Sequence, residues 1–429
     1  MDAEGSYLLV DGTGAELGKG DAMIVLAGDG LELRPRIGGY RLFSLRDVAA
    51  IANANFQVDV AMNDGRRLHL SMLGRRYEDL VREMHRSRNE LIMRDLLMTE
   101  KPRMQGVKAE LRPFRGAEGP CEVRLYETFI VILPLRHALQ RVRYSDIEGI
   151  ESRDYILRIA LSSGELIALT MLGREMEPLW KAISDAMSEL ERQTRETIKS
   201  AYPQADGRTM EVASRLLREG RAARRWEIND ISAELWSGLE REVKARGIGA
   251  EYAFLTSRGK GSMARIGMKR SLVGDDIYIW FMVPILGKNA VAMEATSSGS
   301  SGRATYFFRI APRSTYQSMD EESIEAMAEA SMDTIAAGLR EIDFRRQPIY
   351  LKEEQLRMEP WSRYRFSVML IPELRDLRSR FIGRVPHNGA EEWNARVEEL
   401  LSFNATAKSD SDRWRGPEEE PEAEEDSER

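Results

Sequence analysis

Four glycines near the start of the chain, Gly12, Gly14, Gly18 and Gly20, suggest chemistry first, because glycine-rich turns cradle phosphates. A Walker-type loop needs a glycine five residues before Gly18-Lys19 and a serine or threonine after the lysine. Thr13 and Gly20 stand there instead. A dinucleotide fingerprint needs a glycine three residues after Gly14 and then a helix. Leu17 and the alternating stretch Met23 to Leu26 fail both requirements, so these glycines read as a turn before a strand. The four histidines, His69, His85, His137 and His387, show no metal spacing and flank no nucleophile motif. Each reads as a surface residue, which removes the commonest general base. Cys121 is the single cysteine, so an internal disulfide and a thiolate zinc cluster are excluded. It aligns with Ala22 in the duplication described below and reads as a small core residue. No catalytic residue, metal or cofactor is assigned.

Two further segments carry polar groups in number. Arg215, Arg218, Arg221, Arg224 and Arg225 with Glu219 give a local charge of +4. Such a patch can meet nucleic acid, an anionic membrane or an acidic segment of the same chain. Nucleic acid is weakly supported, since no aromatic platform or helix-turn-helix pattern accompanies it. A solvated helical linker over 203–247 is the plainer reading. The loop from Ser297 to Arg303 offers Ser298, Ser300, Ser301 and Arg303, groups that a phosphate-binding nest uses. Glycine-serine loops more often form hairpin tips.

The elements that position these residues are dominated by a duplication. Residues 22–91 and 121–190 align at a constant offset of 99 without a gap, with 15 identities in 70 positions. Each copy shows period-two apolar strands such as Ile24-x-Leu26 and Leu31-x-Leu33, matched by Val123-x-Leu125 and Ile130-x-Ile132. Each then has an Asp-Val/Ile-x-x-Ile segment, at Asp47–Ile51 and Asp146–Ile150. A hairpin follows, Phe56-x-Val58-x-Val60 or Tyr155-x-Leu157-x-Ile159, with Gly65 or Gly164 at its second turn. Glycine at one turn position in both copies implies a backbone angle that a side chain resists. An amphipathic helix closes each copy through Leu80, Val81, Met84 and Leu91, matched by Leu179, Trp180, Ile183 and Leu190. The pattern describes a small antiparallel sandwich or barrel plugged by a helix.

This order of strands, the Asp-Ile-x-x-Ile segment, the glycine hairpin and the terminal helix resemble the pleckstrin-homology (PH/GRAM-like) superfold. The resemblance covers residues 6–96 and 104–200. It implies binding of a protein or of an anionic membrane headgroup, the latter through basic residues on the early strands and their loops. Arg34, Arg36, Arg41 and Arg46 in the first copy and Arg136, Arg141 and Arg143 in the second are the residues it points to.

Strands return after the linker at Tyr252–Leu255, Ile277–Val283, Ala290–Ala295 and Ala304–Ile310, and again near Pro348–Leu351 and Tyr364–Ile371. Helices are expected at Glu321–Arg340, Glu373–Phe381 and Glu391–Leu401. The fold class is α+β. Two PH-like repeats (1–100 and 101–202) precede a helical linker (203–247), an α+β domain (248–404) and a disordered acidic tail (405–429). Residues 416–429 carry eight acids and one arginine, so they hold the whole net charge of −7 and leave 62 charges of each sign in the body. No apolar run reaches a membrane span, since Ile277 to Leu286 is ten residues with Pro284 inside, and the acidic start shows no secretory signal. The expectation is a cytoplasmic, non-enzymatic adaptor that binds a protein. Peripheral binding to anionic headgroups and a ligand-binding or enzymatic role for 248–404 are the alternatives.

Overall fold

The computed structural model describes residues 1–97, 100–270, 277–296, 303–414 and 416, in two units, Met1–Met187 and Ser188–Arg429. In the first unit the alternating segments form β1 (Asp2–Val10), β2 (Glu16–Ala27), β3 (Gly30–Pro35), β4 (Arg41–Ser44), β5 (Val48–Ala54), β6 (Gln57–Met62) and β7 (Arg67–Ser71), closed by α1 (Tyr77–Leu97). The second copy repeats them as β8 (Met104–Phe114), β9 (Ala117–Leu125), β10 (Phe129–Pro134), β11 (Gln140–Arg143), β12 (Ile147–Arg153), β13 (Ile156–Leu161) and β14 (Leu166–Thr170), closed by α2 (Met176–Ala201). Each set is a seven-stranded antiparallel sheet, ordered β4-β3-β2-β1-β7-β6-β5 and β11-β10-β9-β8-β14-β13-β12. The turn glycines adopt left-handed angles in both copies, φ 88° at Gly65 and 83° at Gly164, as their shared position implies. Trp180 departs from expectation: counted on the apolar stripe of its helix, it is 38% exposed.

Helix α1 serves two cores, which explains where the copies diverge. One side buries Leu80, Val81 and Met84, and Arg88 donates to the carbonyls of Val48 and Ala49 at 3.0 and 3.1 Å. The other side meets the second copy. Asn89 bonds the backbone of His137 and Leu139, Glu90 pairs with Arg124 at 2.7 Å, and Met93 packs with Tyr126, Phe129, Val131 and Leu133. The positions equivalent to Phe129, Val131 and Leu133 in the first copy are Gly30, Glu32 and Arg34. A helix covers this face in the second copy, and its residues there are apolar. On β3, Glu32 and Arg34 instead pair with each other at 2.6 Å.

His85 sits in that packing, 3% exposed, and its Nε2 has no hydrogen-bond partner. Burial, then the nearby charges of Arg88 and His137, push its pKa down to about 4. The folded ring is therefore neutral, while the unfolded chain takes up a proton below its ordinary 6.5. Stability contributed here is complete above pH 6.5 and is lost as pH falls toward 4. The loss is about 2–3 kcal/mol. Denaturation of the first unit followed between pH 7 and pH 4.5 should show this slope, flattened in His85→Leu. An equal slope in both proteins would remove His85 as its cause.

In the second unit α3 (Gly207–Leu216), β15 (Ala222–Arg224), α4 (Arg225–Asn229), α5 (Ala233–Ala245) and α6 (Gly249–Arg258) precede β16 (Arg265–Arg270), β17 (Ile277–Ile285), β18 (Ala290–Thr296) and β19 (Ala304–Arg309). Helices α7 (Arg313–Tyr316), α8 (Glu321–Glu341), α9 (Gln347–Tyr350), α10 (Arg365–Leu370) and α11 (Pro372–Arg380) lead to β20 (Phe381–Pro386) and α12 (Ala390–Thr406). The six strands lie in chain order in one antiparallel sheet. Ile279, Phe281, Val283 and Phe307 on one face form a core with Leu235 and Leu239 of α5, Leu255 of α6 and Val397 and Leu400 of α12. Burying each such side chain contributes about 2–3 kcal/mol. On the other face Arg265, 2% exposed, pairs with Asp333 and Glu329 of α8. Gly267 there admits the Trp280 ring, since a Cβ would lie 2.2 Å from its Nε1.

Several expectations for this unit are corrected. Tyr252–Leu255 is helical, because Ile248, Tyr252 and Leu255 recur at i, i+4 and i+7 and bury one face. Pro348–Leu351 and Tyr364–Ile371 contain the helical turns α9 and α10 rather than strands. Residues 203–247 are not a linker: β15 pairs with β16, and α5 supplies core residues. Ser232 caps α5 by accepting from the Leu235 amide at 3.2 Å. The chain past 405 stays folded as far as Trp414, which is 8% exposed and donates its amide to the Ile382 carbonyl.

Candidate interaction site

The first hairpin of each half-sheet turns in two residues. Ala54 pairs with Gln57, and Arg153 with Ile156, leaving Asn55-Phe56 and Asp154-Tyr155 as the loops. All four have positive φ, 51°, 59°, 54° and 61°, the geometry of a turn whose second position favours glycine. Asparagine and aspartate tolerate it. A phenylalanine or tyrosine there costs about 1–2 kcal/mol. Strands β7 and β14 are each followed by a second strained side chain, Met72 (φ 57°) or Met171 (φ 60°). The β6–β7 and β13–β14 ladders end at Val58↔Leu70 and Leu157↔Leu169, two residues short of these positions, so each aromatic and its methionine emerge from the same end of one strand pair. The four are 76%, 81%, 91% and 77% exposed.

The surroundings of each pair are duplicated too. Leu73 and Leu172 anchor the backbone, both 4% exposed, and Gly74 and Gly173 turn it at φ 53° and 54°. Arg75 and Arg174 follow. Among the described residues Arg75 and its neighbour Arg76 have no ion-pair partner, and Arg174 meets only Glu175. The Phe56 ring leans on Tyr77, centroids 5.5 Å apart. An exposed aromatic ring and a flexible thioether at one end of a strand pair, with arginines next in the chain, suit desolvation against an apolar cleft edged with carboxylates.

The arginines expected to meet an anion do not converge. Arg34 is held by Glu32, Arg41 donates to the Leu17 carbonyl at 3.1 Å, and Arg46 is forked onto the buried Asp95 at 2.7 and 3.2 Å. Arg136 pairs with Glu78, while Arg141 and Arg143 lie on the Phe129 ring at 4.3 and 4.4 Å. Arg36 has no ion-pair partner among the described residues. The basic segment is also engaged. Arg215 pairs with Glu211, Arg224 with Glu227 and Glu329, and Arg225 lies over the Trp236 ring at 5.7 Å; Arg218 and Arg221 have interactions of their own. Ser298, Ser300 and Ser301 lie outside the described residues. Arg303 donates to the Gly247 carbonyl at 3.0 Å.

Two of the histidines are corrected. His85 is buried, and His387 is bracketed by Glu251 at 3.5 Å and Glu294 at 3.3 Å. His69 pairs with Asp59. Cys121 is buried, as expected, which pushes its thiol up to about 11 and leaves it inert. Among the described residues no group of three or more acidic, histidine or cysteine side chains is disposed to hold a metal ion. The aromatic–methionine pairs were not singled out from the sequence, because Phe56 and Tyr155 continue the alternation of their strands. The signal that finds them is the Asn or Asp before an aromatic in both copies, with the shared Met-Leu-Gly-Arg. No family model matches this chain, and no curated protein matches it either.

Proposed function

We propose that the chain is a non-enzymatic adaptor whose two PH-like repeats grip a protein partner through their aromatic–methionine tips. The observation that carries this reading is the retention, in copies with 15 identities in 70 positions, of strained, exposed apolar side chains at the same two places. Folding does not require them: glycine at the turn would relieve the strain, and exposure means they contribute little core. Strain kept where it contributes no packing marks an interaction surface. The arginine rim sets the partner's chemistry as an apolar cleft with acidic edges. The strand orders, an up-and-down circuit open between the fourth and fifth strands with a helix after the seventh, support the PH-like assignment. No helix among the described residues is long and apolar enough to cross a membrane. We place the protein in the cytoplasm.

A photo-crosslinking phenylalanine analogue at 56 and at 155 in the full chain tests this, with Met358, 58% exposed, as a control site. The expected result is one protein crosslinked from both tips but not from 358, which then binds the purified chain saturably. Equal yields at all three sites would overturn the reading. A second reading is favoured by the loop between β3 and β4 and the start of β4, where Ile37, Tyr40 and Leu42 are 93%, 64% and 58% exposed beside Arg36 and Arg41. Apolar side chains among cations suit the surface of an anionic bilayer. Salt-sensitive flotation with anionic vesicles, lost in Ile37→Glu, would establish it.

A further inference from the structure

We infer that the seam where α1 crosses the second copy is a joint that acid opens, with His85 as the group that breaks it. Opening bares the apolar face of β10. The joint lies between the repeats and does not depend on the adaptor reading. His85, Asn89 and Met93 recur at i, i+4 and i+8, so they share one stripe of the helix. Asn89 meets the second copy through the backbone of His137 and Leu139, at 3.0 and 3.1 Å. Met93 meets it within the cluster of Tyr126, Phe129, Val131 and Leu133. His85 therefore stands in the seam, 3% exposed and with Nε2 unpartnered.

The groups around the ring do not welcome a proton. Arg88 of its own helix and His137 of the loop between β10 and β11 act on it, and both are basic. Arg136 of that loop is taken by Glu78, and Arg46, in the turn Leu45–Asp47 before β5, is taken by Asp95. Asp47 has interactions of its own. No carboxylate pairs with His85 among the described residues. A proton on the closed ring is thus a buried charge without an acceptor, beside a guanidinium and a second imidazole. Water relieves it once the loop moves away. The seam is also the weaker side of α1. Toward the first copy the helix buries Leu80, Val81 and Met84, and Arg88 holds two backbone carbonyls. Toward the second it has the Met93 cluster, the Asn89 latch and the pairs Glu78–Arg136 and Glu90–Arg124. The glutamates of both pairs are half exposed, so the pairs contribute little.

The open ring takes its proton at the ordinary 6.5 and the closed ring at about 4, so the ratio of open to closed rises about twentyfold from pH 7 to pH 5. Hydrogen exchange of the full chain at these two pH values, corrected for the intrinsic chemistry of exchange, tests the joint. The reporter is the Leu139 amide, which donates to Asn89; the control is the amides of β7, an inner strand of the first sheet. Opening at Leu139 is expected to rise about twentyfold at pH 5 while β7 changes by less than about threefold. In His85→Leu the Leu139 amide should stay level. His85→Gln also cannot take the proton, and it decides if the leucine variant does not fold. A dye that brightens on exposed apolar surface should respond at pH 5 only where His85 is present. An equal rise at Leu139 and β7 would mean that the whole unit opens, and would overturn the joint. So would the absence of a rise at Leu139, or a rise that both substitutions leave intact.

Discussion

Replacing His387 by alanine is expected to lower the stability of the second unit by about 1–3 kcal/mol, the cost of a buried carboxylate losing a polar neighbour and of the space left beside the Trp393 ring. The ring lies between two carboxylates, Glu251 Oε1 at 3.5 Å from Nδ1 and Glu294 Oε1 at 3.3 Å from Nε2. Glu294 is fully buried, and its other oxygen accepts from the Thr305 hydroxyl at 2.7 Å. Trp393 in turn donates to that hydroxyl at 3.1 Å and sets its ring edge against the imidazole, centroids 5.7 Å apart. Glu294 Oε1 has no hydrogen-bond partner and lies 3.3 Å from the imidazole, so removing the ring deepens an existing desolvation cost, and the loss exceeds that of an ordinary surface pair. Denaturant titration reads it directly. The double substitution His387→Leu with Glu294→Leu removes charge and partner together and should recover much of the stability. A loss below about 1 kcal/mol in His387→Ala, the size of an exposed pair, would contradict this assignment.

The opposite sign is expected at the tips. Phe56→Gly with Tyr155→Gly should raise the stability of the first unit, because glycine adopts φ near 60° without strain. The gain is about 1 kcal/mol at Tyr155, which is 91% exposed and has little packing to lose. At Phe56 the contact with Tyr77 offsets part of the relief, by about 0.5–1 kcal/mol. The same double substitution removes both aromatic anchors, and anchors of this kind are worth about 2 kcal/mol or more each in an interface. Binding of the partner should therefore fall by a hundredfold or more while the fold becomes firmer. A residue kept for packing would behave the other way, losing stability when removed.

The repeated sheets were legible because local chemistry agreed twice. Gly65 and Gly164 require the same angle, and the alternation of Val58, Val60, Leu68 and Leu70 returns at Leu157, Ile159, Ile167 and Leu169. What was hidden is long-range. The period-two pattern Ile130-x-Ile132 marks one inward face, yet both faces of the stretch Phe129 to Leu133 are buried, because Met93 arrives from the preceding helix. Strands β16 and β20 carry Arg265, Lys269 and Arg384, which break the apolar pattern that marks a buried strand. These charges are accommodated by Asp333, Asp343 and the Tyr350 ring, far away in sequence. The five arginines of 215–225 looked like a surface patch for the same reason: Glu329, partner of Arg224, lies over a hundred residues on. The tips were concealed by their own regularity, since Phe56 and Tyr155 keep step with the strands they leave.

The most direct test of the tips as the partner-binding surface is the dissociation constant of the crosslinked partner for the full chain and for the Phe56→Gly, Tyr155→Gly variant, measured beside their melting temperatures. The account predicts affinity weaker by about a hundredfold or more, from the loss of two buried anchors, together with an unchanged or higher melting temperature. Unchanged affinity in a folded variant would contradict it.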